Sequence, residues 1–494
     1  MAEETEKTGA TGTDRSSGMV EPQVGEVTSV TRHSVCIAGE EINYTATAGT
    51  LLLKTDDEKP KASIFYVAYM RDGVEDVAHR PLTFAFNGGP GSSSVWLHLG
   101  LLGPQRVLMD EEGGPLPPPF QLVNNEYSLL DITDLVFIDP VSTGYSRPVP
   151  GEDAKQFHGV TQDIESVGEF IRLYTTRVQR WSSPKFLIGE SYGTTRAAGL
   201  SAHLHQTLGM YLNGIMLVSA ILNFQSARFD LGNDLPYILF LPSYAASAWY
   251  HKKLPDSLQS KPLREFLREV EAFAAGDYNV ALMKGDALSG DERAAVIDQL
   301  ARYTGLSATY IEHTNLRINI HRFVKELLRD ERRTIGRFDS RFKGIDRDAA
   351  GERHEYDPSY AIIQGAYTAA LNHYMRSVLA FKSDRVYEIL TANVQPWDYS
   401  KFQNQYVNVA EDLRKAMTYN PFLRVFVANG YYDLATPYFA TEYTFHHLGL
   451  DPELQGHVAM GYYEAGHMMY LHRLSLAALK RDLASFIDQT LSAR

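Results

Sequence analysis

Four short apolar runs set the architecture of this chain: "PLTFAF" from Pro81, "DLVFID" from Asp134, "KFLIG" from Lys185 and "GIMLVSA" from Gly214. Each is bounded by Gly, Pro or Asp and lacks the polar alternation of a half-buried strand. Such runs read as strands covered on both faces, as in a parallel sheet. Parallel neighbours need long crossovers. The stretch between the second and third runs, "VTQDIESVGEFIRLYTTRV", has the apolar spacing of a helix. The rhythm is βαβ, and the expected class is α/β, with a mostly parallel central sheet and flanking helices.

The ends and the middle differ from this pattern. From about Glu21 to Met70 the sequence alternates apolar and polar residues, as in "SVCIAGEEINYTATAGTLLLK", and reads as β structure. After about Ser226 the β runs thin out. "SKPLREFLREVEAFAAG" predicts a helix capped by Ser260, with Pro262 in its first turn and Gly276 just past its end. "SGDERAAVIDQLARYTG" and "NIHRFVKELLRDERRT" predict two more. Strand character returns at "LRVFVANG", Leu423 to Gly430, and a helix closes the chain from about Leu474. The expected organisation is a tail over 1–20, a sheet domain over 21–225 and 401–494, and a mostly helical cap inserted at 226–400. A length of 494 residues allows such a large unit with an insertion.

The formal net charge of −13 gives the long-range field the wrong sign for nucleic acid or an anionic membrane surface. No run of eighteen apolar residues is present, so no transmembrane helix is expected. The first eighteen residues are polar and acidic, unlike a secretory signal, and read as disordered. Cys36 is the single cysteine, so no internal disulfide forms. Both features lead to the expectation of a cytoplasmic protein.

The chemistry centres on Gly189-Glu190-Ser191-Tyr192-Gly193. An apolar strand leads in and an Ala- and Leu-rich amphipathic stretch leads out. That is the strand–turn–helix context in which a serine sits on a strained elbow with its hydroxyl exposed. A serine needs a base, and the base needs an orienting group. In the order Ser, acid, His expected for this elbow, Asp433 follows a strand in "VFVANGYYDLATP" and His467 lies in "GYYEAGHMMYLH". The His203/His205 and His446/His447 pairs have no carboxylate or cysteine cluster beside them. Neither a metal site nor a cofactor is expected. "NGGPGSSS", from Asn87 to Ser94, offers three further serines on a glycine loop.

Together, "NGGPGSSS…LGP" (Asn87–Pro104), "NEYSLLDITDLVFIDPVSTGYS" (Asn125–Ser146), the Gly189–Gly193 pentapeptide and the segments around Asp433 and His467 resemble the serine carboxypeptidases of the α/β-hydrolase fold. The resemblance implies that Ser191 is the nucleophile, His467 the general base and acid, and Asp433 the orienting carboxylate. It also implies an oxyanion hole from the backbone N–H groups of Gly89 and Tyr192, and a substrate carboxylate held by Asn87 and Glu190. The partner is then a peptide with a free C-terminus. Ser92, Ser93 and Ser94 are expected to tie the loop down through their hydroxyls rather than to react.

The chain departs from the family at several places. Leu101 stands where a second Glu is usual, which implies weaker or differently shaped carboxylate recognition and a less acidic pH optimum. Arg196 replaces an uncharged residue and is expected in a surface or cap salt bridge. Ala85 replaces a tryptophan, which bears on the pocket's shape, and Ser92 takes a cysteine position. An esterase, amidase or acyltransferase on the same frame, and a non-catalytic binding protein, remain alternatives to the peptidase reading.

Overall fold

The structure is a computed structural model that describes residues 25–492; the expected tail over 1–20 lies outside the described residues. The principal strands are β1 (Thr28–Ile37), β2 (Glu40–Lys54), β3 (Pro60–Arg71), β4 (Leu82–Phe86), β5 (Asp134–Ile138), β6 (Lys185–Glu190), β7 (Gly214–Val218), β8 (Arg424–Gly430) and β9 (Val458–Tyr463). They join in one sheet in the order β1-β2-β3-β5-β4-β6-β7-β8-β9, with the two-residue strand Arg147–Pro148 paired to β3. The first three strands form an antiparallel meander, β3 pairs antiparallel with β5, and every later pairing is parallel.

The longer helices are α1 (Val160–Arg177), α2 (Tyr192–Leu208), α3 (Leu235–Tyr250), α4 (Leu263–Phe273), α5 (Gly290–Thr304), α6 (Pro358–His373), α7 (Ala410–Tyr419) and α8 (Arg473–Ser492). Pleating sends alternate strand residues to opposite faces. Phe84, Val136, Leu187, Ile215 and Val425 join one apolar cluster with residues of α1, α2 and α7. Phe137, Ile188, Met216 and Phe426 join another with residues of α6 and α8. This two-sided cover explains the unbroken apolar runs. The sheet is mostly parallel with helices on both faces, as the sequence implies.

A third cluster gathers residues from Ile238 to Ile335 together with Tyr431, Tyr432 and Leu434 of the loop after β8 and Tyr438, which opens the helix Tyr438–His446. Residues Ile363 to Ile389 and Val394 to Trp397 pack instead into the clusters of the sheet. The stretch 226–400 therefore divides its side chains between a separate helical core and the main one.

Two helix limits differ from expectation. The 260–276 helix begins at Leu263, with Pro262 rather than Ser260 at its cap. It does not stop at Gly276, where the backbone kinks (φ −97°, ψ −105°) and the chain coils on to Lys284. Burial of Tyr278, Ala281 and Leu282 outweighs the local stop signal. In "NIHRFVKELLRDERRT" the helix covers only Ile320–Glu326. The charged residues beyond Leu328 give it no further apolar face.

Parallel strands share one direction, so their C-terminal ends open on one side of the sheet, where ligand clefts form. Phe86 is level with Gly189, Glu190 with Val218, Val218 with Ala428 and Gly430 with Tyr463. The segments that follow four of these strands carry Asn87, Ser191, Asp433 and His467. Sequence-distant groups are thereby delivered to one edge.

Candidate active site

The turn between β6 and α2 holds Ser191 at φ +59°, ψ −128°. A left-handed φ on a residue with a Cβ costs about 1–3 kcal/mol, and the surroundings must hold it. The Ser191 N–H donates to Val218 O (3.0 Å), and Thr194 donates to Ser191 O from both its N–H (2.8 Å) and its hydroxyl (2.6 Å). The flanking glycines are steric necessities, since a Cβ on Gly189 would lie 2.2 Å from Gly193 O. Gly88 presses equally close, and a Cβ there would meet Tyr192 N at 2.4 Å.

Asp433 is fully buried. Its Oδ1 accepts from the N–H groups of Ala435 (2.7 Å) and Thr436 (3.0 Å), and its Oδ2 accepts from the Thr436 hydroxyl (2.7 Å). His467 Nδ1–H donates to the same Oδ2 at 2.7 Å. Burial alone would push the imidazole pKa down, but the Asp433 carboxylate outweighs it and the net shift is upward. The acceptor on Nδ1 leaves Nε2 as the basic nitrogen.

The His467 loop is fixed from two sides. Its N–H donates to Phe338 O (2.6 Å), and its carbonyl accepts from the Ser219 hydroxyl (2.6 Å). The Phe338 ring lies 5.0 Å from the imidazole. Asp339 accepts from Gly466 N–H (3.1 Å) and is itself held by the Arg341 guanidinium (2.7 Å). Phe338, Asp339 and Arg341 carry no local sequence signal of this role. Only the Asp-x-x-Thr spacing at 433–436, typical of a side-chain-capped turn, was readable.

Ser191 and His467 border one cavity of about 450 Å³, and Asp433 stands behind His467. Gly89 and Tyr192 line the same cavity. Among the described residues, neither of their backbone N–H groups has a protein acceptor. Asn87 and Glu190 complete the buried end. The Asn87 amide nitrogen is also without a protein partner, while its Oδ1 accepts from Leu97 N–H (3.1 Å). The structure thus brings all seven sequence-nominated residues to one place.

The three loop serines have their hydroxyls engaged in the loop's own contacts, although Ser92 also lines the cavity. Ser92 donates to Ser93 O (3.0 Å) and Ile389 O (3.2 Å), and Ser93 to Ile389 O (3.4 Å). Ser94 donates to the buried Asp139 carboxylate through both its N–H and its hydroxyl, each at 2.8 Å. They tie the loop down, Ser94 to a side chain rather than to backbone.

A family model described as serine carboxypeptidase matches residues 40–469. The chain belongs to the serine carboxypeptidase family. Among curated relatives it is 28% identical to serine carboxypeptidase-like 29 of Arabidopsis thaliana, over 32% of this chain and 31% of the relative. It is 26% identical to the pheromone-processing carboxypeptidase KEX1 of Yarrowia lipolytica, over 35% of this chain and 26% of the relative. These matches span less than a third of each relative's own length. The solved structure of Kex1(delta)p, a prohormone-processing carboxypeptidase from Saccharomyces cerevisiae, superposes with a TM-score of 0.54 at 16% identity, covering 90% of this chain and 92% of that one. The fold is that of the α/β-hydrolases.

Within this member of the family, the departures from the family pattern acquire physical settings. Leu101 is fully buried in the apolar core and gives the cavity no polar group. Glu190 instead meets Tyr470, whose hydroxyl donates to Glu190 Oε2 at 2.6 Å. Burial pushes the Glu190 carboxyl up to about 7, against the pull of His467 and of the Tyr470 hydroxyl. Ala85 lies inside the sheet, opposite Ile188, and does not border the cavity; Trp96 does.

Arg196 corrects an expectation. It forms neither a surface nor a cap salt bridge, being one of the largest fully buried side chains. Its Nε donates to Asp163 of α1 (2.8 Å) and its Nη1 to Asn87 O (2.6 Å). Its guanidinium lies 5.3 Å from the Phe86 ring centre and 5.6 Å from that of Tyr192. Arg196 thus clamps the loop carrying Asn87 and Gly89 to the nucleophile helix.

Proposed function

We propose that this chain is a serine-type carboxypeptidase that releases the last residue of peptides with a free C-terminus. The observation that carries the reading is the His467–Asp433 hydrogen bond at 2.7 Å, placed behind a cavity that Ser191 shares. Ser191 Oγ attacks the scissile carbonyl carbon while His467 Nε2 takes its proton, and Asp433 stabilises the imidazolium. The carbonyl oxygen, now anionic, is received by the N–H groups of Gly89 and Tyr192. Each such donor is worth about 3 kcal/mol in the transition state. Collapse breaks the C–N bond, the amine leaves with the proton from His467, and water then repeats the sequence on the acyl-enzyme. Asn87 and a protonated Glu190 provide donors for the C-terminal carboxylate.

Turnover of a blocked dipeptide and of its C-terminal amide tests this. Cleavage of the acid with release of its last residue, and at least tenfold slower cleavage of the amide, is the expected result. Equal turnover supports the second reading, an esterase or amidase on the same frame, which the burial of Leu101 away from the cavity favours.

A further inference from the structure

The cavity carries a charge pattern that its catalytic groups do not use. Besides His467 and the buried Glu190, the charged side chains lining it are Arg228 and Arg337. Both are underpaired. Arg228 is exposed, forms no ion pair with any described residue, and holds its guanidinium 5.9 Å from the Phe224 ring centre. Arg337 stacks at 4.4 Å over Phe338, and its closest carboxylate, Asp357, is 3.9 Å away. A guanidinium presents a planar fork of donors that matches a carboxylate. Two such forks facing a cleft, in a chain of net charge −13, run against the global field and concentrate anionic groups locally.

The two arginines stand on different walls. Arg337 belongs to the segment that holds His467, and Phe338 continues through Tyr360 (6.4 Å) to Trp96 (6.1 Å), next to the Leu97 N–H bonded to Asn87. That wall adjoins Asn87 and Glu190, so it faces the departing residue. Arg228 follows the loop after β7, where Ile221 N–H donates to Thr194 (2.9 Å) and Phe224 faces Tyr399 (6.5 Å). That wall faces the acyl residue. With Asn87 and Glu190 occupied by the terminal carboxylate, the arginines are left for side chains.

We propose that the enzyme prefers peptides with acidic side chains at the scissile bond, Arg337 receiving that of the departing residue and Arg228 that of the residue before it. This rests on the carboxypeptidase reading above. The test compares kcat/KM for blocked dipeptides ending in Leu-Glu, Leu-Leu and Leu-Lys, and for Glu-Leu against Lys-Leu, at pH 7 and low salt. The wild-type chain is expected to favour the acidic member of each charged pair about tenfold or more. R337Q should bring the Leu-Glu to Leu-Lys ratio to about one and R337E should invert it; R228Q and R228E should do the same for Glu-Leu against Lys-Leu. Each readout is a ratio within one variant, so partial loss of folding cancels. Ratios near one in the wild type, or ratios that survive neutralisation of the arginines, overturn the proposal. Failure to cleave any of the peptides, Leu-Leu included, contradicts the underlying peptidase reading instead.

Discussion

The hydroxyl of Tyr470 donates to Glu190 Oε2 at 2.6 Å, joining residues 280 positions apart in a fully enclosed pair. A phenol here does what a second carboxyl would do, holding the Glu190 side chain in place, but without adding a like charge beside it. The other charged groups acting on this carboxyl are His467 and Asp433.

That arrangement fixes a pH profile. Attack requires neutral His467, whose pKa lies above the ordinary imidazole value, so kcat/KM rises as pH climbs through it. Recognition of a terminal carboxylate requires protonated Glu190, pushed up to about 7, so kcat/KM falls as pH passes that value. A bell with a near-neutral maximum is expected for peptide acids, reported as properties of the coupled groups together. With a C-terminal amide or ester, the falling limb from Glu190 should vanish. An optimum below pH 5, or the same falling limb with the amide, counts against this.

Tyr470→Phe removes a donor that favours the ionised form of Glu190. A hydrogen bond to a charged group is worth about 1.5 kcal/mol, equivalent to about one pH unit. The falling limb of kcat/KM for peptide acids should move upward by up to about that amount. Esters should show no such movement. A profile superimposable on the wild type would remove Tyr470 from carboxylate recognition.

Arg196 and Asp163 form an ion pair with both side chains almost wholly enclosed. Removing one partner strands the other, at a cost of about 3–5 kcal/mol. Arg196→Met should therefore lower the urea midpoint strongly and, by freeing Asn87 O, reduce kcat as well. Arg196→Met with Asp163→Leu should recover much of the stability but not the loop's position, so kcat should remain low.

The glycine loop and its serines should respond oppositely to alanine. At Gly88 the new Cβ would meet Tyr192 N at 2.4 Å and Gly193 N at 2.7 Å, pushing the loop off the elbow. A loss of about 1–3 kcal/mol in stability is expected, and a fall in kcat of about a hundredfold. At Ser93 only a long 3.4 Å contact is lost. Ser93→Ala should keep kcat within a few-fold of the wild type and cost less than about 1 kcal/mol. Steady-state kinetics beside thermal unfolding separates the two cases.

The legible parts of this molecule are those encoded locally. Four unbroken apolar runs announced a sheet covered on both faces because burial on two sides leaves no polar alternation. Ser191 was readable because glycine spacing and the strand before it define the elbow. Asp433 and His467 followed from its expected chain order. Tyr470, Phe338 and the Asp339–Arg341 pair were not readable, because their roles arise from contacts across more than a hundred residues. Gly276 misled as a helix stop because buried side chains beyond it override a local preference. Arg196 misled because a charge is ordinarily at the surface, and only the fold supplied its buried partner.

The relay itself is tested by covalent labelling with a fluorophosphonate and mapping of the modified residue. One equivalent per chain on Ser191 is expected, abolished in Ser191→Ala and slowed at least a thousandfold in His467→Gln. Undiminished labelling of Ser191→Ala, or stoichiometric modification of Ser92, Ser93 or Ser94 in the wild type, would show that the hydroxyl and imidazole do not work as one unit.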